Sequence, residues 1–365
     1  MIEINNIEQA KALVLGATIL GTGGGGSPSS GLTMLNNVLK KGKTIKIAEI
    51  DEISKNGFIV VPYHVGSIAP GIKIKKPIKI EDPIRQAFKE MERLLGGKIV
   101  AIVASEIGGA NTPVALSIAA ELGIPAIDGD LLGRAAPELH QCTVNIFGIP
   151  MYPSVIVSES GNIVVVREYS DIDDYEAIAR YLSVLSGNYV SVVDTPMSYD
   201  TARKAIIRNT ISTSLRLGEE VFKARNEKRD PVDAVVKVLK GWKIFEGIVE
   251  KYNWRDEGGF LKGEAIIRGT GKFSGKTLRS WIKNEHIMVW INDKPAVMPP
   301  DLFALLRDDG EPITNTDLKE GMKVNGVAAK APDVWRTPEG LRYFGPRHFG
   351  FDYDYIPVEE LVEGV

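Results

Sequence analysis

The sequence predicts an α/β fold: a layered N-terminal domain built on a parallel sheet, followed by a second, β-rich domain. Three observations lead there. Lys98 to Ala104 reads as a strand, Thr112 to Gly123 as a helix and Ile124 to Asp128 as the next strand, which is a βαβ unit whose crossover is right-handed by default. Upstream, Phe58 to Pro62 is a short apolar run of the kind a buried strand needs. From about Trp242 the texture changes to short alternating runs broken by Gly and Asn-Asp turns, the pattern of half-buried antiparallel strands.

Each element has its own cause. From Asn6 to Leu20, residues Ile7, Ala10, Leu13, Val14, Ala17 and Leu20 fall near one helical face, with Asn6 and Gln9 spaced as a capping pair. The run Gly21-Thr22-Gly23-Gly24-Gly25-Gly26 follows, and Ser27-Pro28-Ser29 leads into a helix reaching Lys41. Asp82-Pro83 opens a helix with Ile84, Phe88, Met91 and Leu95 on one face, closed by Gly96-Gly97. Thr112 and Pro113 start the crossover helix; Val114, Ile118 and Leu122 share its face, and Gly123 permits the left-handed stop. Strands are expected at Ser154 to Ser158, Ile163 to Glu168 and Tyr189 to Asp194, with helices at Asp173 to Ser186 and across 199–226. Small residues on the last helix face point to close approach and to a homo-oligomer. Strand-like runs at Ile244 to Glu250, Gly263 to Arg268, Ile287 to Ile291 and Lys323 to Ala328 fill the β-rich part. The expected division is residues 1–240 for the α/β domain, 241–331 for the β-rich domain, and 332–365 for a tail returning to the first.

Composition excludes several classes. The chain has 365 residues, enough for a full core, and 44 Lys+Arg against 47 Asp+Glu give no global attraction for nucleic acid or anionic lipid. One cysteine, Cys142, rules out an internal disulfide, and the first residues show neither a basic nor a long apolar leader, so the sequence predicts a cytoplasmic protein. No segment approaches the roughly 20 apolar residues that span a bilayer.

The glycine run exposes consecutive backbone N–H groups, so Gly23, Gly24, Gly25 and Gly26 can bind an anion or a carbonyl; the alternative is a tight structural turn. The run follows a helix, not a strand, and lacks a terminal Lys-Ser/Thr, so no nucleotide is expected. In a parallel sheet, consecutive βα loops meet at the carboxyl edge. That brings Ser105 to Asn111 beside Asp128-Gly129-Asp130 and Gly133 to Glu138. Glu106, Asp128, Asp130 and Glu138, with Asn111 and Arg134, could bind a polar ring or perform acid/base work, and Asp128 and Asp130 could hold a divalent metal; an Arg134 to carboxylate ion pair that ties loops together is the alternative. His64 joins the same edge if its strand is parallel to its neighbours, and the i, i+2 pair His140 and Cys142 could share a strand face as metal ligands. Met298-Pro299-Pro300-Asp301 could set Asp301 on a rigid corner, and Arg347 and His348, flanked by aromatics, suit a planar or carboxylate ligand or a docking tail.

Five ordered motifs resemble the S-methyl thiohydantoin desulfurase-like family: Gly16-Ala17 with the glycine loop, Glu106 to Asn111, Asp128 to Glu138, Pro300-Asp301-Leu302, and Gly345 to Asp352. The resemblance spans nearly the whole chain. It implies an α/β domain followed by a β-rich domain, and association with hydantoinase and oxoprolinase proteins as partners. It also implies attack of water on the amidine-like carbon of an S-methyl thiohydantoin, releasing methanethiol and leaving a hydantoin. On that reading Asp128, Asp130 or Glu106 acts as base or metal ligand, Asn111 and Arg134 contact the ring, and Gly23 to Gly26 hold an anion or carbonyl. Glu138 belongs to the same catalytic group, and Arg347 and His348 are further substrate contacts. Alanine at Asp130 or Arg134 is expected to abolish turnover without unfolding. A non-catalytic accessory subunit is the competing expectation, and it predicts an exposed apolar patch with no ligand pocket.

Overall fold

A computed structural model describes residues 1–66, 76–187 and 189–364; positions 67–75, 188 and 365 of the expected segments lie outside it. The first sheet holds β1 (Ile2–Ile4), β2 (Ile45–Ala48), β3 (Phe58–Gly66), β4 (Ile99–Ala104), β5 (Ala126–Asp130), β6 (Ser154–Val157), β7 (Ile163–Val166), β8 (Tyr189–Met197) and β9 (Ile207–Arg208). Their order is β1-β2-β5-β4-β3-β8-β6-β7, with β9 paired to β5. The pairs β2·β5, β5·β4 and β4·β3 are parallel, and the flanking pairs are antiparallel, so the sheet is mixed around a parallel centre.

The central strands are buried on both faces. Alternation sends Val60, Ile102, Val155 and Val193 into one apolar core. Ile59, Val61, Ala101, Val103 and Val192 enter another. The first core is covered by α1 (Ile7–Leu20), α2 (Pro28–Lys40), α3 (Pro83–Leu95) and α4 (Asn111–Leu122), together with residues of the later helices α8 (Thr210–Asn226) and α9 (Pro231–Leu239). The second lies under α5 (Thr143–Ile146), α6 (Ile172–Ser186) and α7 (Tyr199–Ala205).

Helix starts follow side-chain chemistry. Asn6, Ser27 and Asp82 each accept a backbone N–H at the start of α1, α2 and α3. The stretch 199–226 is not one helix. It divides into α7, the short strand β9 and α8 (Thr210–Asn226), because Ile207 and Arg208 are taken into the sheet beside Asp130 and Gly129. The small-residue face of α8 is used inside the chain: a Cβ on Gly16 would meet Ser214 O at 1.8 Å, and one on Gly218 would meet Ala12 O at 1.9 Å, so α1 seats directly on α8.

After α9 (Pro231–Leu239), seven antiparallel strands form the second sheet: β10 (Trp242–Glu257), β11 (Phe260–Gly269), β12 (Thr277–Lys283), β13 (Glu285–Ile291), β14 (Lys294–Val297), β15 (Leu302–Leu306) and β16 (Lys323–Ala329). Their order is β14-β13-β12-β11-β10-β16-β15. The following segment contains α10 (Pro338–Phe344) and α11 (Val358–Leu361). It bridges the two halves: Trp335 and Phe344 are buried in the first core, whereas Val358 enters the core of the second sheet. Among the described residues, no helix is long and apolar enough to cross a membrane.

Candidate functional site

A cavity of about 340 Å³ opens at the carboxyl edge of the parallel strands. Gly25 to Ser27, the end of β3 with Tyr63 and His64, Ser105 to Asn111, Ala136 to Cys142, Glu176 and Arg180 of α6, and the β12–β13 turn with Asn284 and Glu285 meet there. It therefore lies at the seam between the two sheets. Because β3 runs parallel to β4, His64 does reach this edge.

Glu106 stands at the centre of the polar wall. Its Oε1 accepts from the Asn111 amide, and its Oε2 accepts the Ala136 N–H at 3.0 Å. Burial raises its pKa well above the ordinary carboxylate range, against the lowering effect of those two hydrogen bonds. Glu285 faces it from β13. Burial first, then the charge of Glu106, push Glu285 well above its usual value as well. Its Oε2 is buried without a hydrogen-bond partner. The nearby Arg134 cation works in the opposite direction and lowers both carboxyls, without offsetting their burial.

The glycine loop explains how Glu285 is held. A Cβ at Gly24 would lie 1.9 Å from Glu285 Oε1, and the Gly25 N–H also turns to that carboxylate. The bare backbone thus receives a carboxyl group of the protein itself. Gly25 has φ +72°, its carbonyl accepts the N–H groups of Ala110 and Asn111, and a Cβ there would stand 2.6 Å from Gly108 Cα. Gly23 packs on Asn315, away from the cavity; Gly25 and Gly26 line it, together with Ser27 and Ser30 at the N-terminus of α2.

Glu138 forms a different kind of carboxylate. Burial favours its neutral form, but His348 at 2.7 Å, Lys283 and Gln141 outweigh this and hold its pKa well below the usual range. Next to it Arg180 donates to Glu176, Gly66 O, Gly259 O and Pro137 O and lies over the Phe260 ring, pinning the cavity wall to the second sheet. His64 is pushed down to about 4 by burial and stays neutral at pH 7. Tyr63, which also lines the cavity, donates to the buried carboxylate of Asp194, itself raised to about 6 by burial.

Several expected residues lie elsewhere. Strand β5 continues through Asp130, two residues beyond the expected end, because β9 pairs with it; Asp128 and Asp130 therefore sit in a strand, not a loop. Asp128 accepts the Ser212 N–H at 2.9 Å and so caps α8, whose own first-turn N–H groups need a partner. Asp130 is fully buried and accepts the N–H groups of Leu132 and Gly133. Neither lines the cavity. Arg134 is also fully buried, and its five N–H donors are satisfied by Ala135 O, Pro300 O, Asp301 O, Thr22 Oγ1 and His286 O. It has no donor left for a ring, and its removal would orphan buried carbonyls in both halves, so the alanine expectation for it becomes one of unfolding.

Arg347 projects outward to Asp352 and Asp354, so it is a surface residue of the tail. His348 reaches the site through Glu138 and Gln141. His140 and Cys142 do not share a strand face: they lie in the loop before α5, and burial raises the Cys142 thiol well above its usual value. Asp301 is buried and receives Ala331 N–H, Val358 N–H, Tyr355 OH and Arg336, which makes it the anchor of the tail.

Sequence reading missed Tyr63, Arg180, Asn284 and Glu285. The signal for Glu285 was slight: a polar Lys-Asn-Glu stretch between two apolar strands, with Asn284 at φ +57° marking the turn. Nothing local indicated that the turn crosses to the glycine loop.

An α/β domain joined to an antiparallel β domain, with a polar cavity at the seam, is the class of protein that fold and site define. The S-Me-THD-like N-terminal domain matches residues 8–168, and the S-Me-THD-like C-terminal domain matches residues 170–358; the chain belongs to that family. Its fold is similar to the X-ray crystal structure of a protein from Chromobacterium violaceum, 21% identical, covering 98% of this chain and 100% of that one with a TM-score of 0.80. A comparison with curated proteins gave no match.

Proposed function

We propose that the protein is a hydrolase acting on a five-membered cyclic amide of the S-methyl thiohydantoin type, converting it with water to a hydantoin and methanethiol. The observation that supports this reading best is the pair Glu106 and Glu285, two buried carboxyl groups held above the ordinary carboxylate range on the wall of a cavity large enough for a substituted five-membered ring. The reaction needs one group to take a proton from water and another to protonate the ring nitrogen. Glu106, whose ionised form is favoured by Asn111 and the Ala136 N–H, serves as base. Glu285, with an unpartnered Oε2, serves as acid.

Water forms the C–O bond as Glu106 takes one of its protons and Glu285 protonates the ring nitrogen; the C–S bond then breaks as the carbonyl forms, the remaining hydroxyl proton returns to Glu285, and the departing methanethiolate takes the proton that Glu106 received. The N-terminus of α2 with Gly26, Ser27 and Ser30 suits a ring carbonyl, since its N–H groups meet developing negative charge there. An accessory subunit working with a hydantoinase or oxoprolinase partner is expected to lack a pocket, and the cavity favours the enzyme.

The test is direct. Purified protein incubated with S-methyl thiohydantoins should release methanethiol, measured with a thiol reagent, and hydantoin, measured by chromatography. Glu106→Gln and Glu285→Gln should each lower kcat by about 10²–10⁴. Full activity in both variants would remove the assignment.

A further inference from the structure

We infer that Glu138, His140 and His348 form a binding site for one divalent transition-metal ion, of the borderline class that takes imidazole and carboxylate together, such as Zn²⁺ or Co²⁺. One ligand atom from each residue lies within 4.8 Å of one from each of the others. Two imidazoles and one carboxylate are a complete protein set for an ion that keeps further positions open. An ion with ligand bonds of about 2.0–2.2 Å would open the 2.7 Å Glu138–His348 contact slightly and draw His140 in.

Glu138 Oε2 and His348 Nε2 are 2.7 Å apart, a hydrogen bond that a divalent ion would replace by taking both atoms as ligands. Gln141 Nε2 stands beside them and donates to Glu138 Oε2 at 3.0 Å and Tyr343 O at 3.0 Å. Lys283 engages the other oxygen of Glu138, Oε1, which leaves Oε2 as a single ligand atom.

His140 is already oriented as metal-bound histidines are. One ring nitrogen, Nε2, faces Asp173 at 3.1 Å, and the other, Nδ1, is buried without any hydrogen-bond partner. A carboxylate that holds one imidazole nitrogen fixes the tautomer that offers the second as a lone pair. His140 and His348 come from the loop after β5 and from the tail, and their ring centroids are 5.4 Å apart. Glu138 lines the cavity, so an open coordination position could face it. Metal binding at these three residues stands independently of the thiohydantoin reading.

The experiment uses full-length protein stripped with a chelator and titrated with Zn²⁺ or Co²⁺ in the absence of substrate. Stoichiometry is read by equilibrium dialysis and elemental analysis, and coordination by the visible ligand-field bands of Co²⁺. One ion per chain is expected, with Co²⁺ bands of low coordination number. Affinity should fall about 10–100-fold in His348→Ala and in Asp173→Asn. Asp173 is 84% exposed, so its variant tests orientation without threatening the fold. Failure of stripped protein to take up either ion, or equal affinity in wild type and both variants, would show a His348 to Glu138 ion pair only and overturn the site.

Discussion

Asp130 shows how far a residue's identity can be read apart from its direction. Its position after a parallel strand suggested an exposed catalytic carboxylate, but the side chain is sealed below β9, accepting two backbone N–H groups with one oxygen while Oδ1 has no partner. Burial lifts its pKa from an ordinary 3.8 to about 7. A carboxyl group raised in the folded state stabilises the fold fully below its unfolded pKa, and that contribution is lost as pH rises through the folded value. Asp130→Asn removes the titration, so the melting temperature of the variant minus that of wild type should climb between about pH 4 and pH 7. A tenfold change in proton affinity corresponds to roughly 1.4 kcal/mol, which bounds the gain at on the order of 4 kcal/mol. A difference that stays flat across this window would mean that Asp130 is not the titrating group. Glu106 and Asn111, by contrast, were legible, because consecutive loops of one crossover unit must share an edge whatever their side chains do.

At the scale of elements, the glycine loop was legible as a run of bare N–H groups and illegible as to what they face. Helix-first context and bare N–H groups are local properties; the arrival of Glu285 from β13 is a contact between residues more than 250 positions apart, which no local pattern encodes. The 199–226 stretch failed for a related reason: its helical spacing is real in α8, but pairing of β9 with β5 overrides it at Ile207 and Arg208. Gly24 gives a clean probe of the loop, since its limit is the 1.9 Å approach of Glu285 and not a left-handed backbone. Gly24→Ala should therefore destabilise the wild type and cost much less in a Glu285→Ala background, where the clashing carboxylate is gone. A double-mutant cycle on urea midpoints should give a coupling of about 1–3 kcal/mol. Strict additivity would show that the loop does not hold this carboxylate.

For the whole molecule, the seam matters more than either half. Glycine loop, β5 loop and β12–β13 turn each contribute part of the cavity, and the tail locks them from outside: Trp335 donates to Leu132 O, His348 meets Glu138, and Asp301 gathers Arg336, Tyr355 and two tail or near-tail N–H groups. Composition announced an aromatic tail but not this latch, whose anchor Asp301 read only as a carboxylate on a rigid corner, because a proline turn is equally good at presenting and at burying a side chain. Arg336 is the vulnerable point. It donates to Asp301 at 2.6 Å and to both oxygens of Glu359, and only 14% of its side chain is exposed. Taking away the guanidinium leaves a buried carboxylate without its cation, a loss of about 3–5 kcal/mol. Arg336→Met should consequently release the tail before the sheets unfold: limited proteolysis would cut within residues 332–364 while the remaining chain keeps its far-ultraviolet dichroism. Since His348 leaves with the tail, divalent-ion uptake should fall in the same variant. A protease pattern identical to wild type, with uptake intact, would mean that the tail is held by its apolar contacts and that the Asp301 cluster adds nothing to closure of the seam.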